Sequence, residues 1–167
     1  MLVRATQKAL GLLRPTQLAT SPIGPDDWYV NLLWIDGRKC LLLTHAGTLF
    51  PIFAADVRAA HLRPLGPWLV DVINHHLLLD QLPIDVLGVL DPDDVAIAKT
   101  ASRQVLGVMN DTAFQVELAV ADHGGLARCD FDRLNHDLRE IPHRYERRYL
   151  TPLDLVNARR SRGPEGK

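Results

Sequence analysis

The most chemically suggestive spacing in the chain lies between Lys99 and Asp111, where basic and amide side chains recur at helical intervals. Arg103, Gly107 and Asn110 are spaced at i, i+4 and i+7, so a helix would place them along one stripe. Lys99 and Arg103 would then lie beside the helix N-terminus, where free backbone N–H groups favour an anion. If the basic turn of a neighbouring hairpin packs nearby, four cations converge on a phosphate or carboxylate. The candidate anion or ligand site therefore comprises Arg38, Lys39, Lys99, Arg103, Asn110 and Asp111.

Two explanations are open for this stripe, and they lead to different functions. A glycine in a helix interior costs about 1 kcal/mol relative to alanine, so Gly107 calls for either close packing or the approach of a ligand. Packing would also bury Asn110 with its amide hydrogen bonded, and it is the explanation we favour. It predicts a non-catalytic binding or accessory module. The alternative is a small hydrolase or nuclease that uses the Lys99–Asp111 region, since such sites are recognised by geometry rather than by spacing.

Residues 144–167 form a second basic region, in a chain whose overall net charge is −1. Tyr145 and Tyr149 are four residues apart and could stack on bases while neighbouring arginines contact phosphates. The same arginines could instead pair with the acidic surface of residues 71–94, in this chain or in a second copy. Weak nucleic-acid binding is therefore a further alternative function. Its candidate contacts are Arg144, Tyr145, Arg147, Arg148 and Tyr149.

Histidine and cysteine positions give no expectation of a metal site, and no cofactor is expected. His75 and His76 are adjacent, so on a helix their side chains leave the axis about 100° apart and would not chelate together. The sequence has no H-x-x-x-H or H-E-x-x-H spacing, no nucleophile elbow and no phosphate-binding glycine loop. Cys40 lies in an apolar run and is expected to be a buried, unreactive thiol.

Length and composition indicate the class of protein. A chain of 167 residues commonly forms one domain. The longest uncharged apolar run is Trp28–Ile35, far short of the ~20 residues needed to cross a bilayer. The N-terminal segment lacks the pattern of a secretory signal, and the two cysteines fit a reducing compartment. We therefore expect a cytoplasmic protein with no membrane partner.

Three strands form a predicted antiparallel meander: Trp28–Ile35, Arg38–Thr44 and Thr48–Ala54. The Asp36-Gly37 pair between the first two is a strong signal for a tight hairpin turn. Pro51 predicts that the third strand lies at an edge of the sheet. Both faces of the meander are apolar, so helices or a partner must cover them. On that basis we expect a homodimer or another protein partner.

Helices dominate the remainder of the chain. Apolar spacing and capping residues predict helices at 68–82, 103–122 and 131–141, a short one at 84–90 and a last one beginning at 152. Short strands are predicted at 2–5 and 95–99, and a helical turn at 7–13. The fold class is therefore α+β, an antiparallel sheet built around the three-stranded meander and covered by helices from the C-terminal half. Residues 1–145 are expected to form a single domain, and residues 146–167 a basic C-terminal extension with a short helix and a disordered end.

Several short motifs stand out along the chain. They are Ala5-Thr6-Gln7-Lys8 after the first strand, a W-x-x-N-L strand beginning at Trp28, the Arg38-Lys39 hairpin and the Thr-Leu-Phe strand at 48–50. The most specific is Lys99-Thr-x-Ser-Arg-x-Val-Leu-Gly-x-Met-Asn-Asp111. Together they resemble an uncharacterised family of small prokaryotic proteins, a domain of unknown function. The resemblance extends to about Tyr145 and implies a defined module without implying a reaction.

Overall fold

The computed structural model describes residues 1–162, which form five α-helices and seven β-strands. In chain order these are β1 (Leu2–Ala5), α1 (Gln7–Leu13), β2 (Trp28–Ile35), β3 (Arg38–His45), β4 (Pro51–Ala54), α2 (Leu65–Leu79), β5 (Ala96–Lys99), α3 (Arg103–Asp122), α4 (Phe131–Arg139), β6 (His143–Tyr145), β7 (Arg148–Leu150) and α5 (Pro152–Arg162). The α+β class is confirmed. Residues 84–90, predicted as a short helix, instead form turns and coil.

Five of the strands form one mixed sheet in the order β4-β3-β2-β1-β5. The predicted meander is confirmed, because β2 pairs antiparallel with β3 and β3 with β4. β1 then pairs parallel with both β2 and β5, so the sheet is not purely antiparallel. Pro51 lies on the edge strand, as predicted. The hairpin turn has positive φ at Asp36 (51°) and Gly37 (69°), as a type I′ turn requires.

Two hydrophobic cores lie on opposite faces of this sheet. The first contains Val30 of β2, Ile73 of α2 and Val156 of α5. The second contains Leu42 of β3, Met109 of α3 and Leu134 of α4. The covering helices therefore come from both halves of the chain, not from the C-terminal half alone. Within residues 1–162, helices pack on both faces of the sheet, and the homodimer stays a prediction.

The region after α4 consists of a hairpin and a helix. β6 and β7 pair antiparallel around Glu146 and Arg147, both of which have positive φ. In α5, Val156 is 0% exposed and lies in the first core, so this helix packs on the same body as the preceding elements. The predicted disordered end, residues 163–167, lies outside the described residues. None of the helices within residues 1–162 has the length and apolar character that a membrane crossing requires.

Candidate functional site

The predicted stripe on α3 faces solvent. Arg103, Gly107, Asn110 and Asp111 are all exposed, whereas Met109 of the same helix is buried. A Cβ added at Gly107 would meet no other atom within 4 Å. The close-packing explanation for Gly107 is therefore wrong, and Asn110 is not a buried hydrogen-bonding residue. These four residues form an open helix surface.

The sheet separates the two basic pairs of the predicted anion site, which are Arg38 with Lys39 and Lys99 with Arg103. Lys99 ends β5, whereas Arg38 begins β3. Three inter-strand steps separate these two strands, a distance on the order of 14 Å. Arg38 is also engaged, because its Nη1 donates to Asp56 Oδ2 (3.1 Å). The six predicted residues are therefore not gathered in one place, and of them it is Lys39 that lines the pocket described below.

The predicted nucleic-acid contacts lie on the β6–β7 hairpin. Arg144 is paired with Tyr149, and Tyr145 with Arg148. Because directly opposed residues share a face of a hairpin, the two tyrosines lie on opposite faces and do not form one stacking platform. Tyr145 packs against the second core, while the other three and Arg147 are exposed.

A pocket with a volume of about 330 Å³ lies between α1, the β2–β3 hairpin and the segment that follows β4. We call it the basic pocket. Its apolar lining includes Leu12, Leu32, Val57 and Leu62, and its charged lining is cationic. The complete lining is Lys8, Gly11, Leu12, Arg14, Leu32, Trp34, Lys39, Val57, Ala59, Leu62 and Arg63.

Helix α1 forms one wall of the basic pocket and is fixed at its start by Thr6. Thr6 Oγ1 accepts a hydrogen bond from the Ala9 N–H (3.3 Å), and the hydroxyl donates to Asn31 Oδ1 on β2 (2.8 Å). One hydroxyl therefore caps the helix and also ties it to the sheet. Lys8 in the first turn and Arg14 at the C-cap, where φ is 47°, both line the pocket.

The floor and the opposite wall come from the hairpin and residues 57–63. Leu32 and Trp34 lie on the same face of β2 because side chains alternate along a strand, and Lys39 is directly opposite Trp34 in the register. Lys39 Nζ lies 5.6 Å from the Trp34 ring centroid, within cation–π range. The Val57 N–H donates to the Lys39 carbonyl (2.8 Å). This bond holds residues 57–63 against the hairpin.

Positive charge in the basic pocket is not balanced by its lining. Lys8, Arg14, Lys39 and Arg63 supply four cations, and no lining residue is acidic. The Trp34 ring is 60% exposed, so it presents a flat apolar surface beside these cations. The arrangement can hold an anionic group near the rim and an apolar or aromatic group against the floor.

The carboxylate of Asp56, next to Val57 of the lining, pairs with two arginines that do not line the pocket. It accepts hydrogen bonds from Arg38 and Arg58, each at 3.1 Å. The Arg58 hydrogen bond, together with the charges of both arginines, lowers the pKa of Asp56. Asp56 is thus satisfied by side chains outside the basic pocket.

A second polar cluster, the α2–α4 seam, lies between these two helices and contains a buried ion pair. Arg139 is fully buried; its Nη1 donates to Asp80 Oδ2 (2.7 Å) and its Nε to the Pro51 carbonyl (3.3 Å). Its guanidinium carbon lies 4.3 Å from the centroid of the Phe50 ring. His136 Nδ1 lies 3.1 Å from the other Asp80 oxygen. Burial lowers the pKa of Arg139, and the charge of Asp80 opposes that change.

Two histidines of α2 complete the seam. His75 Nε2 lies 3.3 Å from Asp132 Oδ1, and the rings of His75 and His76 meet edge to face with centroids 5.1 Å apart. One ring nitrogen of each histidine and one oxygen of Asp132 lie within 4.8 Å of one another. Each of these adjacent histidines therefore brings a ring nitrogen near Asp132, although their positions on the helix are about 100° apart.

Sequence reasoning identified Lys39 but not the other cations of the basic pocket. A signal was present in the motifs that carry the family resemblance. Thr6 and Asn31, from two separate motifs, are joined by a hydrogen bond, and Lys8 and Leu32 from the same motifs line the pocket. The seam had a signal as well, in two four-residue spacings that place side chains on one helix face. These are His76 with Asp80, and Asp132 with His136.

The sequence was also compared with known families and proteins. The model of a family described as a domain of unknown function (DUF6933) matches residues 2–155. No curated protein matches the chain. The family match extends beyond Tyr145, where the motif resemblance ended, and includes the β6–β7 hairpin and the beginning of α5.

Proposed function

Because the chain belongs to the DUF6933 family, a domain of unknown function, we propose its role from its own residues: it is a non-catalytic binding module for a small organic anion with a flat apolar part. The ligand occupies the basic pocket. The observation that carries this proposal is the lining itself, in which four cations and no acidic residue surround an apolar floor. A cytoplasmic accessory role, in which binding regulates or supports another process, accords with this function.

Charge and shape support an anionic ligand rather than a neutral one. Like charges that share a pocket repel one another, and an anion between them relieves that repulsion. All four cationic residues are exposed, so each contact with an anion is weakened by water and salt. The buried floor residues and the Trp34 ring supply the apolar contact that adds affinity.

The composition of the lining supports binding rather than turnover. It contains no histidine, cysteine, serine, threonine, aspartate or glutamate. These residue types supply most of the nucleophiles and general bases used in hydrolysis. The hydrolase or nuclease alternative would instead need the exposed Lys99–Asp111 surface, and the experiment below distinguishes the two.

The test measures binding of phenyl phosphate by calorimetry, with phenol as the neutral control ligand. We expect saturable binding of phenyl phosphate and none of phenol. Replacing Lys8 and Lys39 together by glutamine should weaken binding about tenfold or more, equivalent to ~1.4 kcal/mol. The matched variant Lys99→Gln removes an exposed lysine of the alternative surface and should bind as the wild type does.

Two results would overturn the proposal. The first is equal binding of phenol and phenyl phosphate, since the cations would then contribute nothing. The second is loss of binding in Lys99→Gln with binding retained in the Lys8 and Lys39 double variant. That second result would place the anion at the Lys99–Asp111 surface and favour the hydrolase or nuclease alternative.

A second candidate function, weak nucleic-acid binding, is favoured by the exposed arginines of the β6–β7 hairpin. Arg144, Arg147 and Arg148 are exposed, and Tyr149 is 74% exposed beside them. If they bind duplex DNA, log K should fall with log salt by about 0.9 per phosphate contact. A triple arginine-to-glutamine variant is the appropriate control, because truncation would remove the buried Val156 of α5. Equal binding by that variant would rule this candidate out.

A further inference from the structure

Three potential metal ligands converge at the solvent-facing end of the α2–α4 seam. They are one ring nitrogen each of His75 and His76 and one carboxylate oxygen of Asp132, all within 4.8 Å of one another. We propose that this end of the seam binds a divalent transition-metal ion of the Zn²⁺ class through these three residues. The proposal is independent of the basic pocket, which lies on α1 and the β2–β3 hairpin.

The distances suit a tetrahedral ion. Zn²⁺ binds imidazole nitrogen and carboxylate oxygen at about 2.0–2.1 Å, so two ligands of a tetrahedral site lie roughly 3.4 Å apart. His75 Nε2 and Asp132 Oδ1 are already separated by 3.3 Å. The other pairs of ligand atoms, which are at most 4.8 Å apart, must come closer when the ion binds.

His76 provides an independent indication that something is bound here. It is 6% exposed, and its Nδ1 is buried without a hydrogen-bond partner among the described residues. Buried polar groups are nearly always hydrogen bonded, so the unpaired nitrogen leaves this ring with unused hydrogen-bonding capacity. A buried imidazole with unused hydrogen-bonding capacity, beside a second imidazole and a carboxylate, is what a metal ion would satisfy.

The charged groups around the cluster are Arg139, Asp80 and Asp132. The positive charge of Arg139 is compensated by Asp80 at 2.7 Å. Asp132 then supplies the negative charge nearest the ion.

The donor set indicates the class of ion and its coordination. Two imidazoles and one carboxylate suit Zn²⁺ and similar first-row ions, whereas Ca²⁺ and Mg²⁺ prefer oxygen donors throughout. The side chains of His75 and Asp132 are 56% and 58% exposed, so the fourth position opens to solvent. Three protein ligands with an open position are typical of sites that bind water or an exogenous group.

The test titrates the metal-free full chain with ZnCl₂ by calorimetry, and with CoCl₂ by visible absorption. We expect one ion per chain and the visible bands of four-coordinate Co²⁺. His75→Ala and Asp132→Asn should each weaken Zn²⁺ binding about tenfold or more and abolish the Co²⁺ bands. Both side chains are more than half exposed, so both variants should fold, which circular dichroism without metal verifies.

Matched controls use exposed residues of the same types outside the cluster. Asp137→Asn lies on the same helix and removes a carboxylate paired with Arg133 (2.8 Å). His123→Ala removes an exposed histidine at the end of α3. Both controls should bind Zn²⁺ as the wild type does. Absence of saturable binding to the wild type, or equal binding by His75→Ala and Asp132→Asn, would overturn the proposal.

Discussion

The basic pocket and the α2–α4 seam differ in whether their charged side chains are exposed or buried, and in whether those charges are paired. The pocket gathers four exposed cations with no acidic residue in its lining. The seam instead encloses Arg139 at 0% exposure and gives it Asp80 at 2.7 Å. Exposed charge costs little to maintain and is free to meet a ligand, whereas buried charge is costly unless it is paired. The pocket is therefore suited to binding, and the core of the seam to fixing two helices.

The largest effect is expected from removing the counter-charge in the seam. Asp80→Asn keeps the shape of the side chain but leaves the Arg139 charge buried without its partner, which should cost about 3–5 kcal/mol of unfolding free energy. Urea unfolding measures the difference. If the variant does not fold, the double change Asp80→Leu with Arg139→Met should restore folding, because it removes both charges together. Asp137→Asn breaks an exposed ion pair with Arg133 on α4, the helix that carries Arg139. It should lower the unfolding free energy by less than about 1 kcal/mol.

Acid should weaken the α2–α4 seam through the buried ring of His76. His76 has a pKa of about 4 in the folded protein, against 6.5 ordinarily, chiefly because it is buried. The unfolded chain therefore takes up the proton first as the pH falls. The contribution of His76 to stability is complete above about pH 6.5 and is lost as the pH approaches about 4. The loss is roughly 3 kcal/mol.

Unfolding free energies at several pH values test this expectation. His76→Leu should show a smaller loss between pH 6.5 and 4 than the wild type, since the buried imidazole no longer titrates. His45 contributes a loss of the same sign in both proteins, because burial lowers its pKa to about 3. An identical acid loss in the two proteins would contradict the role assigned to His76.

A smaller loss of unfolding free energy is expected from removing the Thr6 cap of α1, the helix that forms one wall of the basic pocket. Thr6→Ala removes the cap of α1 and its bond to Asn31, which should cost about 1 kcal/mol. Because α1 carries Lys8, phenyl phosphate binding should weaken in the same variant. Thr6→Ser keeps the hydroxyl and should retain most of both properties. Full binding in Thr6→Ala would show that this hydroxyl does not position the wall of the pocket.

The smallest effect on stability is expected inside the basic pocket. Lys8→Gln removes one of four like charges from an exposed side chain, so the unfolding free energy should change by less than about 0.5 kcal/mol. Thermal melts at low salt measure this, with the seam variant Asp80→Asn melted in parallel. A cost comparable with that of Asp80→Asn would remove the distinction between the two regions.

Local signals in the sequence predicted most of the secondary structure. Thr6, Ser102 and Asp130 cap helices as their side chains allow, and Asp36-Gly37 forms the expected turn. These features depend on a few adjacent residues, so sequence reasoning reaches them. The β6–β7 hairpin was missed because its turn residues, Glu146 and Arg147, are not the glycine or asparagine that positive φ usually selects.

The sites were harder to predict because they depend on tertiary contacts. Apolar periodicity predicted a helix at 103–122, where Met109 is now seen to be buried, but periodicity could not decide whether the stripe with Asn110 meets solvent or another element. The basic pocket combines Lys8, Trp34 and Arg63 from three separate segments. Nothing in their local sequence brings these residues together. The sheet register, the Thr6–Asn31 bond and the bond from the Val57 N–H to the Lys39 carbonyl do so.

Because Trp34 is exposed, its fluorescence can report the electrostatic potential around the basic pocket. Trp28 is 1% exposed and Trp68 is partly buried, whereas Trp34 is 60% exposed beside Lys39. A collisional quencher therefore reaches Trp34 most readily. Iodide is drawn to a cationic surface and caesium is repelled by it, so iodide should quench this indole far more efficiently than caesium does. That asymmetry should shrink as salt screens the lysines and arginines around the ring, which makes the fluorescence of the unlabelled protein a direct measure of the local potential.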